Sequence, residues 1–196
     1  MEPALIVIDA QRAFDDGGMP RHNNPAVWSN IAALLDAWQQ ANRPIVLVRH
    51  DSREPGSPLA PGAPGNAFVA ELANVEPDLL VTKHVNSAFH GTVDLHGWLA
   101  ALDIGQIVLC GLTTNHCVET TARVGGNLGY DVVVAIDATG AFAGTDPDGR
   151  VVSADELTRA TVTNLHSGGF ASISSTSEAI RRSAPSQPLF GRLLRP

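Results

Sequence analysis

Residues 107–117 read Ile-Val-Leu-Cys-Gly-Leu-Thr-Thr-Asn-His-Cys. The run 107–112 is apolar at both odd and even positions, so it predicts a strand buried on both faces, the pattern of a parallel sheet covered by helices. Turn-forming residues 113–115 follow, and a helix is predicted from His116 to Leu128. The same alternation extends outward in both directions. Upstream, strands are predicted at 4–8, 45–48 and 79–83, and downstream at 132–136 and 171–174. Helices fall between them. One starts behind Asn24-Pro25, with Pro25 at its first position and Val27, Trp28, Ile31, Leu34, Leu35 and Trp38 at helical spacing. Others are predicted at 92–102, from the Ser153-x-x-Glu156 capping box to about Leu165, and at 177–182, with a short helix at 68–72. The expected architecture is a three-layer α/β/α sandwich around a six-stranded parallel sheet, in one domain over 1–183, with a Pro-rich tail over 184–196 that is either loose or docked on a neighbouring subunit.

Length and composition agree with one domain. The chain has 196 residues, of which 44% are hydrophobic and 17% charged, enough apolar material for a substantial core. The net charge of −7 disfavours nucleic acid and anionic lipid as partners. Apolar runs such as 132–136 fall far short of the roughly 20 residues of a membrane span, so no membrane partner is expected. Glu2-Pro3 stands where a secretory signal is basic, and the two cysteines make no disulfide framework. The expected compartment is the reducing cytoplasm. No Gly-x-Gly-x-x-Gly follows a strand, and no cofactor is expected.

In parallel sheets, ligands bind beyond the carboxyl ends of the strands. Asp9 ends the first predicted strand, Lys83 the third, and Cys117 follows the fourth. Taken singly, these are a turn former, a solvated strand terminus and an inert buried thiol. Together they offer a base, a cation and a nucleophile. A helix start and a nearby Lys83 are expected to lower the thiol pKa of Cys117. Asp9 would take the thiol proton and later protonate a leaving amine, and the turn ahead of Cys117 would aim N–H groups at an oxyanion. Cys110, inside an apolar strand, reads as an inert core residue. The Pro/Gly-rich stretch 51–66 is either a functional loop or a tolerated surface excursion.

Three segments resemble the isochorismatase-like cysteine hydrolases: ALIVIDAQRAF with Asp9, Gln11 and Phe14; VTKHVNSAFHGT with Lys83 and Phe89; and LCGLTTNHCVETTAR with Gly111, Thr114, Cys117 and Val118 in register. The resemblance spans roughly residues 4–180. It implies the same fold, a triad of Asp9, Lys83 and Cys117, a cis peptide between Leu112 and Thr113, and an oxyanion hole from the N–H groups of Thr113 and Cys117. Candidate substrate-binding residues are Gln11, Phe14, His50, Asp51, Phe89 and His116, with Asn86 and Ser87 as further polar candidates. Nicotinamidases of the family hold a metal through Asp-x-His after the second strand; here Arg53 follows Asp51 at that spacing, so no metal is expected. True isochorismatases lack the cysteine. The implied activity is therefore metal-independent hydrolysis of a C–N bond in a small amide, lactam, carbamoyl or ureido compound through an acyl-enzyme on Cys117. The alternatives are a vinyl-ether or ester hydrolase on the same scaffold, and a non-catalytic ligand-binding or thiol-redox protein.

Three smaller expectations complete the reading. Glu119 and Arg123 are an i,i+4 ion pair. Gly125-Gly126 marks a close approach of another backbone or subunit. Trp28, Trp38 and Trp98 offer apolar helix faces, which with the family resemblance suggest a homo-oligomer, dimer or tetramer.

Overall fold

The computed structural model describes residues 2–15 and 19–183; the tail 184–196 lies outside the described residues. In chain order the elements are β1 (Ala4–Ile8), α1 (Val27–Gln40), β2 (Ile45–His50), β3 (Leu79–Lys83), α2 (Leu95–Ala101), β4 (Gln106–Leu112), α3 (Glu119–Asn127), β5 (Asp131–Gly140), β6 (Gly144–Thr145), β7 (Val151–Val152), α4 (Ala154–Ser167), β8 (Ser172–Ser174) and α5 (Thr176–Ser183). Six strands form one sheet in the order β3-β2-β1-β4-β5-β8, every pairing parallel, and β6 and β7 make a separate antiparallel hairpin.

Alternation along β1 sorts the two layers. Leu5 and Val7 pack with Val27, Ile31, Leu34, Leu35 and Trp38 of α1 and with Ala179 of α5. Ala4, Ile6 and Ile8 face the opposite way, toward Leu95 and Leu99 of α2, Ala122 of α3 and Leu165 of α4. Both faces of the strand are therefore dry, which is why its sequence shows no polar alternation.

The strand order reverses beside β1: the chain steps outward through β2 and β3, then returns to lay β4 on the other side. That reversal opens a crevice at the carboxyl ends of β1 and β4. Gly111 lets the two strand ends close up. It pairs with Ile8 and has φ +112°, and a Cβ there would lie 1.9 Å from the Ile8 carbonyl oxygen.

Several boundaries differ from the sequence expectation for local reasons. α1 starts at Val27, not at Pro25, because the Asn24 side chain accepts from the Ala26 N–H and holds a turn ahead of the helix. α2 starts at Leu95, where Asp94 caps it by accepting from the Gly97 N–H at 2.9 Å. The 68–72 segment forms only a 3-10 turn, Ala70–Leu72. β5 runs on to Gly140, and part of the expected loop 138–152 is the β6–β7 hairpin. The Ser153–Glu156 capping box forms with both of its reciprocal bonds.

The tryptophans do not form an exposed apolar face. Trp38 is buried and donates from Nε1 to the Pro3 carbonyl, Trp98 is half-buried against the α2 layer, and Trp28 donates to Asp15 Oδ1. The glycine pair does mark a close approach. A Cβ on Gly126 would lie 2.6 Å from the Phe170 carbonyl oxygen, and one on Gly125 would crowd Ile107 and Val132 of the sheet. Glu119 and Arg123 pair at 2.8 Å; Glu119 also accepts from Thr161 of α4, and the Arg123 guanidinium covers the Phe170 ring. No helix among the described residues is long and apolar enough to cross a membrane.

Candidate active site

Asp9 is the first residue past β1. It is buried and sits at φ +49°, a left-handed conformation that Asp tolerates better than most residues. Its N–H donates to the Val48 carbonyl, which fixes where the side chain leaves the sheet. Lys83 ends β3 and is fully buried. Its Nζ donates to Asp9 Oδ2 at 2.6 Å and to Cys117 Sγ at 3.4 Å, and lies 3.4 Å from His50 Nδ1. A buried ammonium needs such a set of acceptors, since an uncompensated charge costs several kcal/mol in so dry a place.

Cys117 belongs to a π-helical turn, Thr114–Val118, that precedes α3. Single π turns of this kind occur often at functional sites. Its anchors are local: Thr114 Oγ1 donates to Thr139 Oγ1 on β5, and the Thr113 carbonyl accepts from the N–H groups of His116 and Val118. The Leu112–Thr113 peptide is cis. Thr121, one turn into α3, accepts from the Ala88 N–H and so ties the nucleophile helix to the segment that carries Lys83.

The electrostatics correct one expectation. The Cys117 thiol is not acidified; burial and the neighbouring Asp9 carboxylate push its pKa up to about 12, with Lys83 pulling only partly the other way. The resting group is a thiol. Burial also raises Asp9, against the pull of Lys83. Asp9 Oδ1 is buried and has no hydrogen-bond partner, a state that normally costs about 1–3 kcal/mol. A carboxylate oxygen, His50 and Cys117 Sγ lie within 4.8 Å of one another. Asp9 therefore holds its carboxylate close to the Cys117 thiol.

The remaining candidates divide. His50 is at the triad, half-buried. His116 is exposed, with its ring 3.4 Å from the Asn115 side chain. Gln11 does not face the site as a substrate ligand: it is fully buried, its Oε1 accepts from the His50 N–H, and its Nε2 donates to the carbonyls of His50 and Asn66. Asp51 is likewise occupied, accepting from Arg49 at 2.8 Å and from Asn66 at 3.0 Å. Phe89 packs on Tyr130 and against α3, within the helix layer. Phe14 stacks on Phe142 and lines a cavity of about 530 Å³ with His22 and Trp28. Ser87 is buried and caps its own turn, whereas Asn86 is exposed, with Oδ1 3.9 Å from Cys117 Sγ.

Asn66 is the residue sequence reasoning missed. It is buried, and its Nδ2 reaches the carbonyls of His50 and Leu59 as well as Asp51. Its only sequence signal is a lone Asn closing a Gly/Pro-rich loop. Through it, loop 51–66 folds back on the end of β2 and acts as a brace for the site.

The donor set does not suit a metal. Asp51 is already bound to Arg49 and Asn66, and the Asp9–His50–Cys117 group has Lys83 Nζ within 3.4 Å of an atom of each. The ammonium holds the central place a cation would need.

Comparison with known proteins gives a consistent picture. The Isochorismatase domain model matches residues 3–166. The chain is 36% identical over 177 residues to the isochorismatase-family protein YrdC of Bacillus subtilis, covering 90% of this chain and 94% of that one. It is 31% identical to the ureidoacrylate amidohydrolase RutB of Stutzerimonas stutzeri, covering 70% of this chain and 69% of the relative. A crystal structure of an isochorismatase-family protein from Chromobacterium violaceum superposes with a TM-score of 0.86 at 35% identity, covering 93% of each chain. With the domain matched over most of its length and its sheet reproduced, the chain belongs to the isochorismatase family of hydrolases.

Proposed function

We propose that the protein is a cysteine hydrolase that cleaves a C–N bond of a small amide, lactam, carbamoyl or ureido compound without a metal. The observation that carries the reading is the buried Lys83, which joins Asp9 to Cys117 while Asp9 Oδ1 stays unpartnered. With the thiol pKa near 12, attack and proton transfer belong to one step. As Sγ bonds to the substrate carbonyl carbon, the thiol proton passes to Asp9 and the carbonyl electron pair moves onto oxygen. The N–H groups of Thr113 and Cys117 receive that oxyanion. On collapse the C–N bond breaks and Asp9 returns the proton to the leaving nitrogen. Water then attacks the thioester, Asp9 takes its proton, the C–S bond breaks, and the proton returns to sulfur. Lys83 bonds to both Asp9 and Cys117 and holds the two partners in place. The similarity to an amidohydrolase adds support for a C–N substrate.

The test is a mass-spectrometric turnover screen of small amides, lactams and ureido acids together with isochorismate, using wild type and Cys117→Ala side by side. Water addition or ammonia loss by wild type alone is the expected result. Turnover that survives in the variant would overturn the covalent mechanism and favour ether or ester hydrolysis driven by Asp9.

A further inference from the structure

His50 receives more structural support than a pocket wall requires. It is the last residue of β2 and pairs in register with Lys83 on β3. Its peptide is held from both sides by buried amides: Gln11 Oε1 accepts from its N–H at 2.9 Å, while Gln11 Nε2 and Asn66 Nδ2 donate to its carbonyl at 3.0 and 3.1 Å. Gln11 comes from the β1 exit and Asn66 from the end of the long loop, so two separate excursions of the chain converge on one residue's backbone. Fixing a backbone so firmly fixes where its side chain begins.

The imidazole adds a chemical constraint. An ammonium has protons to give and no lone pair, so the His50 nitrogen 3.4 Å from Lys83 Nζ must be the acceptor. That nitrogen is Nδ1, which places the proton of a neutral ring on Nε2. Neutrality is favoured as well, since burial and the Lys83 charge both hold the ring below its ordinary pKa, opposed by Asp9 and Asp51, with His84 adding to the lowering. Lys83 thus has three acceptors for its three protons: Asp9, Cys117 and His50.

Building on the C–N hydrolase reading, we infer that His50 is a specificity-determining residue whose Nε2–H donates to an acceptor oxygen, carboxylate or carbonyl, carried by the substrate beside the scissile bond. Lys83 sets the tautomer, and Gln11 and Asn66 are positioning residues that act through the His50 backbone. The favoured substrates are small acids or oxo compounds of the ureido or carbamoyl type rather than plain alkyl amides.

Three measurements test this. The first is a long-range proton–nitrogen correlation spectrum of the histidine rings, with His50 assigned by its loss in His50→Gln. A neutral Nε2–H ring at neutral pH is expected; an Nδ1–H ring or an imidazolium overturns the inference. The second compares N-carbamoylglycine with N-methylurea, which lacks the carboxylate. Wild type is expected to prefer the acid. His50→Leu is expected to lose roughly tenfold to a hundredfold in kcat/KM on the acid, chiefly through KM, and little on the urea. His50→Gln, which keeps an acceptor for Lys83 and a donor for substrate, should restore most of the loss. Alkylation of Cys117 by iodoacetamide should proceed near the wild-type rate in His50→Gln, which keeps an acceptor for Lys83. Equal losses on both substrates in His50→Leu, or altered alkylation in His50→Gln, would make His50 merely structural and overturn the inference. If wild type hydrolyses no C–N substrate, the proposed reaction fails by itself, while the ring spectrum still decides the tautomer.

Discussion

Cys110 and Cys117 lie on one continuous strand-and-turn, and both thiols are pushed toward the protonated form, yet their surroundings differ in kind. Burial alone raises Cys110, which sits in the core beside Leu5 and Val7. Cys117 is raised by burial together with a carboxylate, and has Lys83 3.4 Å away and an Asp9 carboxylate oxygen within 4.8 Å. A low resting pKa is therefore not what separates the thiol at the strand ends from the packing thiol in this molecule. The separation lies in whether a proton acceptor and a cation are built beside the sulfur. Burial beside that carboxylate holds the Cys117 thiol above its ordinary pKa.

The contrast is sharpest in the two alanine variants. Cys117→Ala should abolish turnover, by on the order of 10⁴-fold or more, and leave the fold intact, whereas Cys110→Ala should keep turnover and lose ~1 kcal/mol of stability. Paired turnover and urea-melt measurements check this, and an inactive but folded Cys110→Ala would break the comparison.

Asp9→Asn should reduce kcat by roughly 10²- to 10⁴-fold, since it removes the base. It should also speed Cys117 alkylation at fixed pH, because the carboxylate is one of the groups raising the thiol. Slower alkylation in that variant would show that the two groups are not coupled as the geometry states.

The buried pair gives the next largest effect. Lys83→Met leaves Asp9 buried without its cation and should cost about 3–5 kcal/mol of stability; adding Asp9→Asn to it should recover much of that loss. Denaturant melts of the single and double variants decide the matter, additivity being the result that would refute a buried pair.

A smaller effect concerns pH. Both thiols titrate near 8.5 in an unfolded chain and higher in the folded one, so their contribution to stability is complete below about pH 8.5 and falls as pH rises through that region toward the folded values. Melts at increasing alkaline pH should show the decline, and each cysteine-to-alanine change should flatten it. At the low end of the scale, Gly126→Ala should cost about 1–3 kcal/mol through overpacking against Phe170, with kcat little changed.

Much of this molecule was legible in its sequence for reasons that are local. An apolar run 107–112 with no polar alternation means a strand dry on both faces, and Ser153 followed by Glu156 can satisfy the first turn of a helix by themselves. Asp9, Lys83 and Cys117 stand at strand exits, and strand exits of a parallel sheet converge. What failed was what depends on partners remote in sequence. Gln11 and Asp51 looked like pocket residues because polar side chains near strand ends usually meet ligand. Only the folded chain shows their bonds running to His50, Asn66 and Arg49 instead. Phe89 and Trp38 were ambiguous between pocket, interface and core for a similar reason, since an aromatic ring states its need for cover without saying what covers it.

The sequence by itself determined the order of elements, the parallel sheet and the placing of Asp9, Lys83 and Cys117 at the strand ends, because periodicity and strand-end position are properties of short segments. The tertiary structure alone decided the protonation of the thiol, the orphaned oxygen of Asp9 and the clamp on His50. Those depend on desolvation and on distances of a few ångströms between residues as far apart as 9, 50, 66, 83 and 117, which arise only when the strand ends are brought together.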